Sequence, residues 1–230
     1  GMVPGGQVTT VDAMQRVDVV VVGAGMAGAS TAWWLARAGL DVELVEQFEQ
    51  GHTRGSSHGG ARVFRMAYPD PFYVRLAQQA LPLWRELEAD AGEPLLDTTG
   101  SIDHGDPQAL AALAAALAEA GAAHELLTAA DAGERWPGMA FAGPVLLQPD
   151  GGRCRADATR HALARRAAEH GAHVRFGVGP VQVRVVGDEA EVLAGDTVLR
   201  ARTAVITPGV WVQKVLAPLG LSVGPVQLAS

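Results

Sequence analysis

The hexapeptide Gly23-Ala24-Gly25-Met26-Ala27-Gly28 sits directly between an apolar, β-branched run at 17–22 and a helical stretch at 26–38. A run of that composition marks a parallel strand covered on both faces. Gly39 supplies a left-handed stop for the helix, and residues 41–46 return as a second strand. The spacing G-x-G-x-x-G says little alone. Between a strand and a helix, with the acid Glu46 eighteen residues after Gly28, it is the βαβ fingerprint of a dinucleotide site. Gly23 permits the tight turn, Gly25 lets a pyrophosphate approach the backbone, and Gly28 lets the helix close on the strand. The N–H groups of the first turn, which begins at Met26 and Ala27, favour phosphate by ~0.3–1 kcal/mol, and up to ~2 kcal/mol when partly buried. Glu46, with Gln47 beside it, is expected to accept hydrogen bonds from the adenosine ribose. Its charge would repel a 2′-phosphate, which disfavours NADP. The fingerprint itself leaves NAD and FAD open.

Downstream, 51–60 is rich in glycine, serine and histidine and reads as a functional loop. A helix is expected over 72–91, bent at Pro82, then a strand over 95–104 through Gly100, then an alanine-rich helix over 107–120 ended by Gly121. Thr128 and Asp131 are spaced as a capping box ahead of Trp136-Pro137-Gly138. A helix over 156–170 precedes short strands at 173–176, 181–186, 190–193 and 197–200. Turns at Gly187-Asp188 and Gly195-Asp196 make the last three a meander. Residues 203–207 read as a further buried strand and 211–219 as a final helix. Mixed parallel-type and antiparallel strands predict an α/β fold. It comprises a Rossmann-like FAD/NAD(P)-binding domain, discontinuous over 16–93 and 151–230, and part of an antiparallel-sheet substrate domain over 94–150, truncated at the C-terminus. Residues 1–15 lack periodicity and read as a disordered leader, with Gly1 a scar of tag removal.

Composition excludes several classes. The net charge of -7 argues against nucleic acid, which needs a concentrated basic face. Residues 19–36 carry no charge over eighteen positions, near the lower limit for a membrane span. Glycines interrupt the run at nucleotide-binding spacing, and Asp18 stands where a signal peptide would be basic, so no membrane association is expected. The single cysteine, Cys154, excludes an internal disulfide and a multi-cysteine metal site, and points to a reducing cytoplasm. His52, His104, His124, His161, His170 and His173 are scattered without metal spacing, so no metal site is expected. Lys214, alone among seventeen arginines, reads as compositional habit.

The second informative stretch runs Gly55-Ser56-Ser57-His58-Gly59-Gly60-Ala61-Arg62-Val63-Phe64-Arg65-Met66-Ala67-Tyr68. If a helix begins here, His58, Arg62 and Arg65 share one face. That compact cationic site would suit a flavin pyrimidine ring or a substrate carboxylate, which guanidinium binds through two parallel bonds. A solvated basic face is the alternative. The run 51–59 with Arg62, Arg65 and Ala67-Tyr68 closely resembles the monomeric sarcosine oxidase and N-methyltryptophan oxidase family of D-amino-acid-oxidase-like flavoproteins. The likeness continues through Tyr73-Val74, Leu83-Trp84, Trp136-Pro137-Gly138 and Gly209-Val210-Trp211, and covers the chain from 17 to about 227.

The resemblance implies an FAD-dependent amine oxidase acting on a secondary or N-methyl amino acid. A hydride equivalent passes from the carbon beside the amine to flavin, water hydrolyses the imine, and oxygen reoxidises the flavin. It implies that His58 and Arg62 lie against the flavin ring and that Arg65 holds the substrate carboxylate. It further implies cofactor contacts from Ser56, Ser57, Val181 and the turn Thr207-Pro208-Gly209 with Trp211. Arg62 would stabilise the negative charge of reduced flavin.

Members of that family continue well past the point matching Ser230. The rest of the substrate sheet, the cysteine that tethers flavin, a lysine implicated in oxygen activation and a late glycine-rich loop lie there. Cys154 falls in the wrong region to be that cysteine. Pro208, within what is an alanine-threonine-glycine turn in the family, withdraws a backbone N–H. This chain alone is therefore expected to bind FAD weakly and turn over little. An exposed apolar sheet face would invite a homo-oligomer or a separate C-terminal partner chain. Beside the amine oxidase stand two other readings: a non-catalytic or partner-dependent flavin-binding fragment, and an NAD-dependent dehydrogenase built on the same βαβ unit. The expected partner is a small-molecule amine or amino acid.

Overall fold

The computed structural model describes residues 14–224. In chain order the elements are β1 (Gln15–Val22), α1 (Met26–Arg37), β2 (Val42–Val45), β3 (Arg62–Phe64), α2 (Pro71–Ala91) and β4 (Leu96–Asp97). Next come β5 (Ser101–His104), α3 (Pro107–Glu119), β6 (Glu125–Leu127), α4 (Ala129–Arg135), β7 (Val145–Gln148) and β8 (Gly152–Cys154). The last are α5 (Ala156–Glu169), β9 (His173–Arg175), β10 (Val181–Val186), β11 (Glu189–Ala194), β12 (Thr197–Ile206) and α6 (Val212–Leu216), the latter flanked by single 3-10 turns. Two compact units result: residues up to His58 together with those from Arg160 onward, and Gly59–Thr159.

The first unit is built on a six-stranded sheet of order β10-β11-β12-β1-β2-β9. β12, β1, β2 and β9 run parallel, and β10, β11 and β12 form an antiparallel meander. Val20, Val21, Val42, Leu44 and Val45 are fully buried, as strands covered on both faces require. Each buried valine or leucine contributes roughly 1.5–3 kcal/mol. Helix α1 buries a face of small residues, Gly28, Ala29, Ala32 and Ala36, with Trp33 filling the remaining volume. It stops where Gly39 takes φ +83 and its N–H caps Ala36 O at 2.9 Å, the glycine C-terminal signal.

Glu43 on β2 is fully buried and held by Arg175 Nε at 3.0 Å and by Gln15 Nε2 at 2.9 Å. That network corrects the reading of 1–15 as a leader. Gln15 already pairs with Leu199, because its amide joins the charged pair. The remainder of that leader, 1–13, lies outside the described residues.

In the second unit, β3-β8-β4 and β5-β7-β6 form two three-stranded sheets. Asp70 caps α2 by accepting from Phe72 N at 2.8 Å, Asp106 caps α3 through Gln108 N at 3.1 Å, and each helix starts on proline, the residue whose fixed φ suits that position. Thr128 caps α4 by accepting from Asp131 N at 3.1 Å, as its spacing suggested. Met66, Ala67, Val74 and Ala77 share one core with Leu110, Leu117 and Leu146. That shared core sets the seams at 58/59 and 159/160, not at 93/94 and 150/151.

Four further readings are corrected. The strand expected over 95–104 is two strands in two sheets: β4 pairs with β8, β5 with β7, and Gly100 turns between them at φ +75. The strands expected at 197–200 and 203–207 are one, Thr197–Ile206, because parallel pairing with β1 holds on both sides of Arg202, from Leu199 to Ala201 and from Thr203 to Ile206. The final helix is one turn and a half flanked by 3-10 turns. No helix runs from 55 through 65: Gly59 stands at φ +120, outside the helical region, and Arg62–Phe64 pairs with β8 as a strand. Among the described residues no helix is long and apolar enough to cross a membrane.

Candidate functional site

The first unit holds a cavity of about 490 Å³ at the C-terminal ends of β1, β2 and β12, within the range of small-molecule sites and at the edge where open α/β sheets bind ligands. Gly23 makes the turn out of β1 at φ +99, and a Cβ there would lie 2.5 Å from Thr207 O. Thr207 is anchored in return, its Oγ1 donating to Val22 O at 2.9 Å. Gly25 is the N-cap of α1 and offers no capping side chain. Its Cβ would stand 3.2 Å from Ser57 Oγ, which accepts from Met26 N at 3.1 Å. No acidic side chain occupies the first turn of α1, so the positive end of the helix is left for an anion.

Glu46 directly follows β2 and is buried. Its Oε2 accepts the Ala24 N–H at 2.8 Å and its Oε1 the Phe48 N–H at 3.1 Å. The carboxylate thus ties the glycine turn to the loop after β2 while lining the cavity. Each oxygen retains a second lone pair, the acceptor pattern a vicinal diol needs.

The cavity brings together Gly23, Gly25, Met26, Ala27, Glu46, Gln47, Ser56, Ser57, Val181, Thr207, Gly209 and Trp211. Gly28 stands behind it, where a Cβ would meet Gly23 O at 1.8 Å. His58 belongs to the same unit and its Nδ1 meets Gly55 O at 2.5 Å. Arg62 and Arg65 lie in the other unit and are exposed. Arg62 Nη1 donates to Ala61 O at 2.8 Å, and Arg65 stacks 5.0 Å over the Tyr68 ring. The expected shared helical face of His58, Arg62 and Arg65 does not exist.

Sequence reasoning passed over His52, Arg160, Gln182 and Lys214, which also line the cavity. Arg160 Nη1 donates to His52 O at 3.3 Å. Burial holds the His52 imidazole below its ordinary value, opposed by Glu46 and reinforced by the charges of Arg160, Arg54 and His58. Arg160 and Lys214 offer positive charge suited to a diphosphate, and the donor set fits FAD: a helix N-terminus with no acidic side chain in its first turn, a glycine turn and a diol-accepting carboxylate.

The family model "FAD dependent oxidoreductase" matches residues 18–229. Mouse peroxisomal sarcosine oxidase is 36% identical over 208 residues, covering 89% of this chain and 53% of the relative. Monomeric sarcosine oxidase of Bacillus sp. strain B-0618 is 30% identical over 213 residues, covering 90% and 54%. Among solved structures, a variant of NikD, an unusual amino acid oxidase essential for nikkomycin biosynthesis, superposes with TM-score 0.78 at 30% identity, covering 90% of this chain and 55% of that one. Glycine oxidase from Geobacillus kaustophilus gives 0.77 at 25% identity, covering 91% and 60%. The chain spans about half the length of the curated relatives it matches.

Proposed function

Since the chain belongs to the FAD-dependent oxidoreductase family, whose cofactor is FAD, we propose that it is the cofactor-binding portion, with part of the substrate domain, of an oxidase for a secondary or N-methyl amino acid. The observation that carries the proposal is the cavity in which Glu46, the acid-free N-terminus of α1 and the Thr207 turn converge. Gly25 admits the diphosphate, and Glu46 takes the adenosine ribose. Ser56, Ser57, Val181, Gly209 and Trp211 complete the wall.

His58 and Arg62 are assigned to the flavin ring and Arg65 to the substrate carboxylate on the strength of the motif they share with sarcosine oxidases. Guanidinium suits both duties, because it presents a fixed charge and paired donors. When bound, FAD supplies the two-electron acceptor for oxidising the carbon beside the amine to an imine, with molecular oxygen as the final acceptor. Arg62 would supply positive charge where negative charge develops, and Arg65 would fix the substrate by its carboxylate.

The test has two readings. FAD is added to the purified chain and flavin fluorescence quenching is followed; sarcosine is then added and peroxide release is measured. Quenching with peroxide supports the whole proposal. Quenching without peroxide for sarcosine and other N-methyl amino acids leaves a flavin-binding portion that needs further polypeptide. NAD binding in place of FAD overturns the cofactor assignment.

A further inference from the structure

Glu46 does not set its own orientation. Ala24 N–H grips one oxygen and Phe48 N–H the other, and a third group faces the carboxylate, the His52 ring, whose Nε2 lies 3.6 Å from Oε1. The state of that ring follows from its other nitrogen. Nδ1 accepts the backbone N–H of Arg54 at 3.2 Å, and a nitrogen that accepts cannot carry a proton. The single proton of the neutral imidazole is therefore on Nε2, directed at Glu46. At 3.6 Å the contact is electrostatic and longer than a hydrogen bond, so it biases the carboxylate without occupying the lone pairs that remain.

The ring and its backbone are held in place. Phe48 packs at 4.9 Å between ring centroids and is backed by Trp211 at 5.2 Å. Arg160 on α5 grips the His52 carbonyl at 3.3 Å. The charged and titratable groups facing the imidazole are Glu46 from just after β2, Arg160 from α5, and Arg54 and His58 from its own loop. Burial comes first among the effects that lower the ring's pKa, and the Arg160 and Arg54 charges add to it against the opposing pull of Glu46.

We propose that His52 is a positioning residue, which fixes the Glu46 carboxylate and so sets how strongly the cavity discriminates a nucleotide that carries a 2′-hydroxyl. The inference rests on the reading of this cavity as the nucleotide half of the cofactor site. His52 acts through Glu46 and not on the reacting atoms.

The experiment compares ADP with 2′-deoxy-ADP by calorimetric titration of the nucleotide-free full chain at pH 7.5. A ribose hydroxyl held by a carboxylate is worth roughly tenfold in affinity, so the wild-type chain should favour ADP by about that factor. His52→Ala should narrow the ratio to about threefold or less, through loss of the oriented N–H. His52→Gln, whose amide can accept from Arg54 and donate toward Glu46, should restore it. A general packing role for His52 would weaken both nucleotides equally and leave the ratio unchanged. An unchanged ratio in His52→Ala, or no recovery in His52→Gln, overturns the inference and leaves the cofactor assignment standing. A wild-type chain that binds neither nucleotide overturns both.

Discussion

A Cβ placed on Gly28 would stand 1.8 Å from the carbonyl oxygen of Gly23. Helix α1 therefore packs against the turn that starts it at a distance only glycine permits. Gly28→Ala also drives its methyl to within 2.5 Å of Thr207 Oγ1, so both the turn out of β1 and its anchor must move. The expected cost is about 1–3 kcal/mol, which lowers Tm by several degrees in a chain of this size. FAD retention should fall with it. Gly60→Ala is the control: its Cβ meets nothing within 4 Å, and Tm should stay within about a degree. Equal thermal denaturation of the two variants would refute the packing argument.

Glu46→Gln keeps the shape of the side chain and removes one acceptor. The carboxylate serves Ala24 N–H with one oxygen and Phe48 N–H with the other, whereas an amide has a single oxygen and must turn its NH2 toward one of those donors. Leaving one buried donor without its acceptor costs about 1–3 kcal/mol, and the ribose loses its charged partner. FAD affinity measured by fluorescence quenching should drop by about tenfold or more. An affinity equal to that of the wild-type chain would remove Glu46 from the site.

These two residues belong to the portion of the molecule legible in the sequence, because strand, turn, helix and acid lie within one contiguous stretch and each has a local physical requirement. The meander of β10, β11 and β12 was legible for the same reason, with Gly187 and Gly195 at φ +67 and +61 marking its turns. What was lost is what depends on distant partners. Arg160 reaches the cavity from α5, 108 residues from the His52 carbonyl it grips, and no local pattern distinguishes it from the other arginines of that helix. Lys214, set aside as compositional habit, lines the same wall. The helix expected through His58 and Arg62 failed at Gly59, where helical spacing was read across a residue whose φ is +120. Gly100 and Gly59 could each have been taken as breaks, since glycine is the residue that tolerates positive φ.

The acid side of the stability profile should carry the signature of Asp97 on β4. Arg155, just after β8, and Arg153, on it, donate to its carboxylate, each with a contact of 2.9 Å, and hold its pKa down from 3.8 to about 2. The folded chain therefore binds the proton less readily than the unfolded chain. The contribution is fully present above the unfolded value and is lost as pH falls through about 2. Asp97→Asn should lower the neutral plateau, modestly because the pair is solvent-exposed, and flatten the acid limb, so that the two profiles converge as pH falls. Urea melts at a series of pH values between neutral and acid read both features, and parallel profiles for the two proteins would contradict the assignment.

Cys154 occupies the middle strand of the sheet β3-β8-β4, opposite Arg62 on one side and Leu96 on the other. Burial pushes its thiol above the ordinary range, and the nearby Arg62 only partly offsets this. A thiol both buried and protonated is a poor nucleophile, since the thiolate is the reactive species. In the folded protein at neutral pH, an aromatic disulfide reagent should label Cys154 slowly, with full labelling on unfolding in guanidinium. Rapid labelling of the native chain would place Cys154 in an open, anion-stabilising environment, incompatible with a central strand. Cys154→Ser should lower stability by about 1–2 kcal/mol, because it sets a stronger polar group in a site that offers mainly apolar contact, and the midpoint of a denaturant melt measures that loss directly.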